Sequence, residues 1–171
     1  KVPQKQFTKE LLSISQTEES LQNLISLIHS VNPNCNFIFT VSPVRHIKDG
    51  FVENTLSKAH LITALHASNF QLPTSSYFPS YEIMMDELRD YRFYAEDLLH
   101  PSTMAIDYIW QRFKATAISE TVLSTLDDID AIQKSLLHKP FNPTSESHQK
   151  FLSKLQEKIT KLQENYPTIQ F

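Results

Sequence analysis

The run Phe37-Ile38-Phe39-Thr40-Val41, closed by Ser42-Pro43, decides how this chain is read. Five continuously apolar or β-branched residues between helical stretches predict a strand of a parallel sheet, covered on both faces. Upstream, Thr17 followed by Glu18 and Glu19 reads as a helix N-cap with an acidic first turn. Leu21, Leu24, Ile25, Ile28 and Val31 then form one apolar face, and Asn32-Pro33-Asn34 stops the helix. Downstream, residues 54–69 read as a helix with Leu56, Ala59, Ile62 and Leu65 along one face. A second short strand is expected over 75–78, ended by Pro79, and a short helix over 83–88. Residues 89–100 form an aromatic and charged loop, and Pro101 suits the first turn of a helix reaching about Ala115. Helix, strand, helix, strand, helix is the order of an α/β layered fold.

Beyond that point no strand is expected. Residues 120–137 and 145–164 read as two amphipathic helices, separated by Lys139-Pro140-Phe141-Asn142-Pro143. In the second, Phe151, Leu155, Ile159 and Leu162 repeat at helical spacing, and Glu157 and Lys161 suit an i, i+4 pair. The expected organisation is an α/β domain over 1–116 and a helical extension over 117–171.

Bulk composition narrows the function classes. The chain has 171 residues, 40% hydrophobic and 20% charged, which is ordinary for a globular domain. Its net charge is −3 and its basic residues are scattered, so nucleic acid is not an expected partner. No run approaches the ~18 apolar residues of a membrane span, and no signal peptide is visible. The chain opens on Lys1 rather than Met, so the expectation is that upstream sequence precedes it. Cys35 is the single cysteine, which suits a reducing, cytoplasmic compartment and a small buried side chain ahead of the strand.

Glycine is the informative count. Average usage of about 7% would give on the order of twelve glycines in a chain this long. Gly50 is the only one. Phosphate-cradling loops need glycine where backbone approaches the ligand or takes positive φ, so a nucleotide site is disfavoured. No cofactor is expected.

Two segments carry candidate chemistry. In Asp97-Leu98-Leu99-His100-Pro101, a carboxylate three residues before an imidazole can accept from Nδ1–H across a turn. That fixes the tautomer and leaves Nε2 basic toward a nucleophile. The plain alternative is a surface aspartate capping the following helix beside an exposed histidine. The second segment, Ser42-Pro43-Val44-Arg45-His46, leaves the carboxyl end of the strand, where open α/β sheets bind ligands. Arg45 would hold an anionic group and His46 would lie beside the substrate. The alternative is a strand terminator with Arg45 in a salt bridge. Pro43 disqualifies Ser42 from an elbow that uses the next backbone N–H as an oxyanion donor. No histidine spacing suits a metal site. Glu82, Asp86 and Asp90 read as a solvated helix face, and the aromatic residues around them as core.

Longer stretches carry a family resemblance. They are Phe39-Thr40-Val41-Ser42-Pro43-Val44-Arg45-His46, Lys48-Asp49-Gly50, Glu53-Asn54 and Ser57-Lys58-Ala59. Tyr77-Phe78-Pro79-Ser80-Tyr81-Glu82-Ile83-Met84-Met85-Asp86 follows, then Leu88 through Asp97 and His100-Pro101. Covering about half the chain, they resemble the GSCFA family, which is similar to the SGNH hydrolases. The resemblance implies a bacterial protein with a flavodoxin-like three-layer α/β/α fold, here a part of it. It implies Asp97 as orienting acid and His100 as general base of a serine hydrolase or acyltransferase. The nucleophile would come from the Gly-Ser-Cys-Phe-Ala motif that names the family, and glycine and asparagine blocks would complete the oxyanion hole. None of those three blocks is in this sequence. Lys1-Val2-Pro3-Gln4 looks like the tail of the asparagine block, so the chain is expected to begin just after it, lacking its nucleophile and inactive alone. Expected partners are a small ester, an acylated carbohydrate among them, and the N-terminal part of the same domain. The competing expectation is a noncatalytic module whose last two helices bind a partner or a second copy.

Overall fold

The structure is a computed structural model, described for residues 2–67 and 75–171. Two compact units divide at Phe113 and Lys114.

In the first unit, helix α1 spans Ile14–Val31. It starts earlier than Thr17 because Ser13 and Gln16 form a capping box, each side chain accepting from the other's backbone N–H. Thr17 lies inside the helix instead, its hydroxyl donating to the Ser13 carbonyl at 2.9 Å. Strand β1 is Phe37–Phe39 and helix α2 is Phe51–His66. Gly50, at φ 104°, leads into α2 in a conformation that a residue with a Cβ rarely adopts. Strand β2, Ser75–Tyr77, lies parallel to β1 with Phe37 opposite Ser75 and Phe39 opposite Tyr77. The part of the expected 54–69 helix beyond Ala67 falls outside the described residues.

The mixed α/β class holds: the described residues form helices with a two-stranded parallel sheet. The expected double cover of β1 does not. Ile38 is 49% exposed, so one face of the strand is open. Cys35, expected to be buried, is half-buried, and its thiol meets the Asn36 carbonyl at 3.6 Å. On α1, Ile25 is buried while Leu24 and Val31 are exposed. The apolar stripe of α1 is wider than the surface covering it.

The core of this unit sits further along the chain. Helix α3, Ser80–Glu82, runs into a π turn over Ile83–Glu87, and helix α4 spans Thr103–Ala117. Pro101 lies outside α4, in a one-residue antiparallel bridge with Tyr94. Phe78, Ile83, Met84, Leu88 and Ala105 form the buried cluster, flanked by Phe93, Tyr94 and Phe113. Met84 is fully buried. Ser80 ties this cluster to the sheet: its hydroxyl donates to the Val41 carbonyl at 2.8 Å and contacts the Thr40 hydroxyl at 2.6 Å. The Phe78 N–H also donates to the Phe39 carbonyl at 2.8 Å. These bonds set the chain leaving β1 beside the π turn.

The second unit holds helices α5, Glu120–Leu136, and α6, Glu146–Asn165, capped by Ser119 and Ser145. Ile132, Leu155 and Leu162 are its buried residues, with Phe151 and Ile159 packed against them. The stripe expected on the last helix is the one that packs. Glu157 and Lys161 form no ion pair among the described residues; Glu146 and Lys150 supply one a few turns earlier, at 2.6 Å.

Candidate functional site

Residues 94–101 close into a loop. The Ala95 N–H donates to the His100 carbonyl at 2.8 Å, and the Leu98 N–H to the Ala95 carbonyl at 2.9 Å. Ser102 N–H donates to the Phe93 carbonyl at 2.8 Å, pinning the loop to the short 3-10 turn Tyr91–Phe93. At the tip, Asp97 turns its side chain back onto its own backbone. Oδ1 accepts from the Leu99 N–H at 2.9 Å and the His100 N–H at 3.0 Å. The other oxygen, Oδ2, lies 2.6 Å from His100 Nδ1. Both carboxylate oxygens are therefore engaged, one by the turn and one by the imidazole. Nε2 of His100 has no partner among the described residues, and the side chain is 60% exposed.

The backbone N–H groups of His100 and Leu99, with the imidazole, pull the Asp97 carboxyl down to about 2. The folded value lies below the ordinary 3.8, so the stabilisation exists above pH ~3.9 and disappears as pH falls through about 2. Acid should therefore loosen this turn only after carboxylates with ordinary values have taken up their protons. The protection of the Leu99 and His100 amides relative to an unstructured peptide, followed from pH about 5 to about 1, should fall at the acid end of that window. Flat protection would show that the carboxylate does not hold the turn.

Leu98 takes positive φ, 56°, as the turn demands. A left-handed leucine costs roughly 1–2 kcal/mol, which the surrounding bonds must offset. Two come from the second candidate segment. Arg45 donates its backbone N–H to the Leu99 carbonyl at 3.1 Å and its guanidinium to the Leu98 carbonyl at 3.3 Å. The chain leaving β1 thus meets the Asp97–His100 loop through Arg45. No carboxylate pairs with Arg45 among the described residues, so the salt-bridge alternative fails. His46 is separated from this pairing. Its backbone N–H donates to Asn54 Oδ1 at 2.7 Å, and it lines a different cavity of about 650 Å³ beside Phe39, Ser42 and Leu61. Ser42 is exposed, and its hydroxyl accepts from the Val44 N–H at 3.2 Å.

The acidic stripe also dissolves into separate roles. Glu82 accepts from the Tyr77 hydroxyl at 2.8 Å, and Asp90 caps the turn that follows it while pairing with Arg92 at 3.1 Å. Burial and the neighbouring Glu82 push the Tyr77 hydroxyl up.

The residue missed in the sequence is Lys58. It is 95% buried by its 5% exposure, and its ammonium group donates to the Ser42 carbonyl. A signal was present. At about 100° per residue, Lys58 falls on the same side of α2 as Leu61, Ile62 and Leu65, while Leu56 falls opposite. A lysine inside an apolar stripe is a buried charge. Among the described residues no three His, Cys, Asp or Glu side chains could hold a metal ion. No helix among them is long and apolar enough to cross a membrane.

A fold with a parallel strand pair, and a carboxylate–imidazole pair beside the chain that leaves it, defines the class to be compared. The GSCFA family model matches residues 1–113, and the model of the GSCFA C-terminal domain matches 129–171. The chain belongs to the GSCFA family. No curated protein and no solved structure matches it.

Proposed function

We propose that this chain supplies the acid–base half of a serine-hydrolase centre acting on ester or acyl groups. The observation that carries the reading is the Asp97 Oδ2 to His100 Nδ1 pair at 2.6 Å, with Oδ1 locked by two backbone N–H groups. A carboxylate held in this way keeps the proton on Nδ1 and leaves Nε2 as the base. The serine, on this reading, comes from a segment outside the 171 residues, because no Gly-Ser pair occurs within them. The parallel pair β1 and β2 would then be two strands of a larger three-layer α/β/α sheet.

In the reaction, the serine hydroxyl attacks the substrate carbonyl while His100 Nε2 takes its proton. Asp97 stabilises the imidazolium that results. The proton passes to the leaving alcohol, and an acyl-serine remains. Water then attacks the acyl group with His100 again as base, which releases the acid and restores serine. Arg45 braces the loop that carries this base.

A fluorophosphonate probe tests the reading on the protein that carries both the Gly-Ser-Cys-Phe-Ala segment and this chain. Stoichiometric labelling of that serine is expected, fastest above neutral pH. Absence of labelling from acid to mildly alkaline pH would overturn the proposal.

A further inference from the structure

Lys58, Arg45 and Arg89 line one cleft of about 460 Å³, along with Tyr81 and Tyr94. None of the three cations forms an ion pair among the described residues. Arg45 meets only backbone carbonyls, and Lys58 has a single acceptor, the Ser42 carbonyl. The one carboxylate that lines the cleft, Asp90, is already engaged by Arg92 at 3.1 Å. Uncompensated positive charge is therefore gathered here in a chain whose net charge is −3.

Lys58 makes the arrangement unusual. A buried ammonium group is costly, by several kcal/mol, unless paired and hydrogen-bonded. One carbonyl leaves two of its three N–H donors without a protein acceptor. Burial alone already draws the amine below the ordinary lysine value. Its other neighbour is the Tyr81 ring, with the ammonium nitrogen 5.8 Å from the ring centroid. The π turn places Met84, Met85 and Leu88 along the cleft wall, which gives the cations an apolar backing. Charges against such a wall attract an anion more strongly than the same charges on an open surface.

We infer that this cleft is an oxyanion-group binding site, in which Lys58, Arg45 and Arg89 take a carboxylate or phosphate. It deepens the hydrolase reading and rests on it in one respect: the substrate is then an ester that carries such a group. Arg45 couples the two features. Its side chain lines the cleft and its backbone bonds the loop carrying His100. An anion seated on Arg45 would therefore be held by a residue that also bonds the loop of the base, and would orient a substrate without entering the proton transfer. Lys58, buried in the cleft wall, supplies the fixed charge. Arg89 is exposed and closes the rim.

The test is a titration of the 171-residue chain with inorganic phosphate and, separately, with glutarate, followed by amide chemical shifts. Saturable shifts confined to residues of the cleft are expected with at least one anion. Preference for phosphate identifies a phosphorylated substrate, and preference for glutarate an acidic acyl group. Lys58→Met should weaken binding at least tenfold and Arg89→Gln severalfold, while Lys150→Met on the other unit leaves it unchanged. Should Lys58→Met fail to fold, Arg89→Gln still reads the site, since that side chain is exposed. Shifts spread over the surface, no saturation with either anion, or parental affinity in Arg89→Gln would overturn the inference. Binding is read without turnover, so it stands or falls separately from fluorophosphonate labelling.

Discussion

Replacing His100 with alanine should lower kcat by roughly 10⁶-fold in the protein that carries the serine segment. Removing the base leaves the hydroxyl a poor nucleophile and the leaving alcohol unprotonated, so both halves of the cycle stop together. The residual rate would come from binding and the oxyanion hole alone. A chromogenic short-chain ester measures it directly. The substitution is structurally mild, because the side chain is 60% exposed and its N–H and carbonyl keep their bonds to Asp97 and Ala95. A variant that retains more than about a tenth of the parental kcat would remove His100 from the mechanism.

Asp97→Asn should cost less, roughly 10⁴-fold in kcat, with KM nearly unchanged. An asparagine carbonyl can still accept from the Leu99 and His100 N–H groups, so the turn survives. The amide then presents its NH₂ to His100 Nδ1, which favours the tautomer with hydrogen on Nε2. That imidazole cannot take the serine proton. The expected signature is a folded protein whose ester binding is intact and whose chemistry is not. A loss seen mainly in KM, or in thermal stability, would show that Asp97 holds the loop and nothing more.

The reach of local reasoning follows the distance between partners. Asp97 and His100 were legible because a bond across three residues depends on one turn, and the turn's own N–H groups complete it. Arg45 was singled out for where it leaves the strand, but its meeting with Leu98 and Leu99 joins positions more than fifty apart. No spacing encodes such a contact. His46, one residue further, shares the positional argument made for Arg45 and yet lines another cavity. Neighbouring side chains on an irregular segment point different ways, and only the path of the backbone says which.

Helix ends show the same division. Ser13 and Gln16 carried a capping-box signal that outweighs the acidic turn after Thr17, so the earlier start was readable from residue types alone. The π turn at Ile83–Glu87 was not. It carries Ile83, Met84 and, at its end, Leu88 into the cluster with Ala105, a tertiary contact that no local preference signals.

By itself the sequence determined the alternation of helices and strands and the packing stripe of the last helix, and it offered the pairing of Asp97 with His100 beside a plain capping alternative. Each depends on residues within a turn or two of one another, where chain geometry leaves few choices. Tertiary structure alone decided that β1 keeps an open face, that Arg45 braces the loop of His100, and that buried Lys58 lines one cleft with two arginines. Those outcomes depend on which distant surfaces meet, and burial is a property of the meeting rather than of any residue in it.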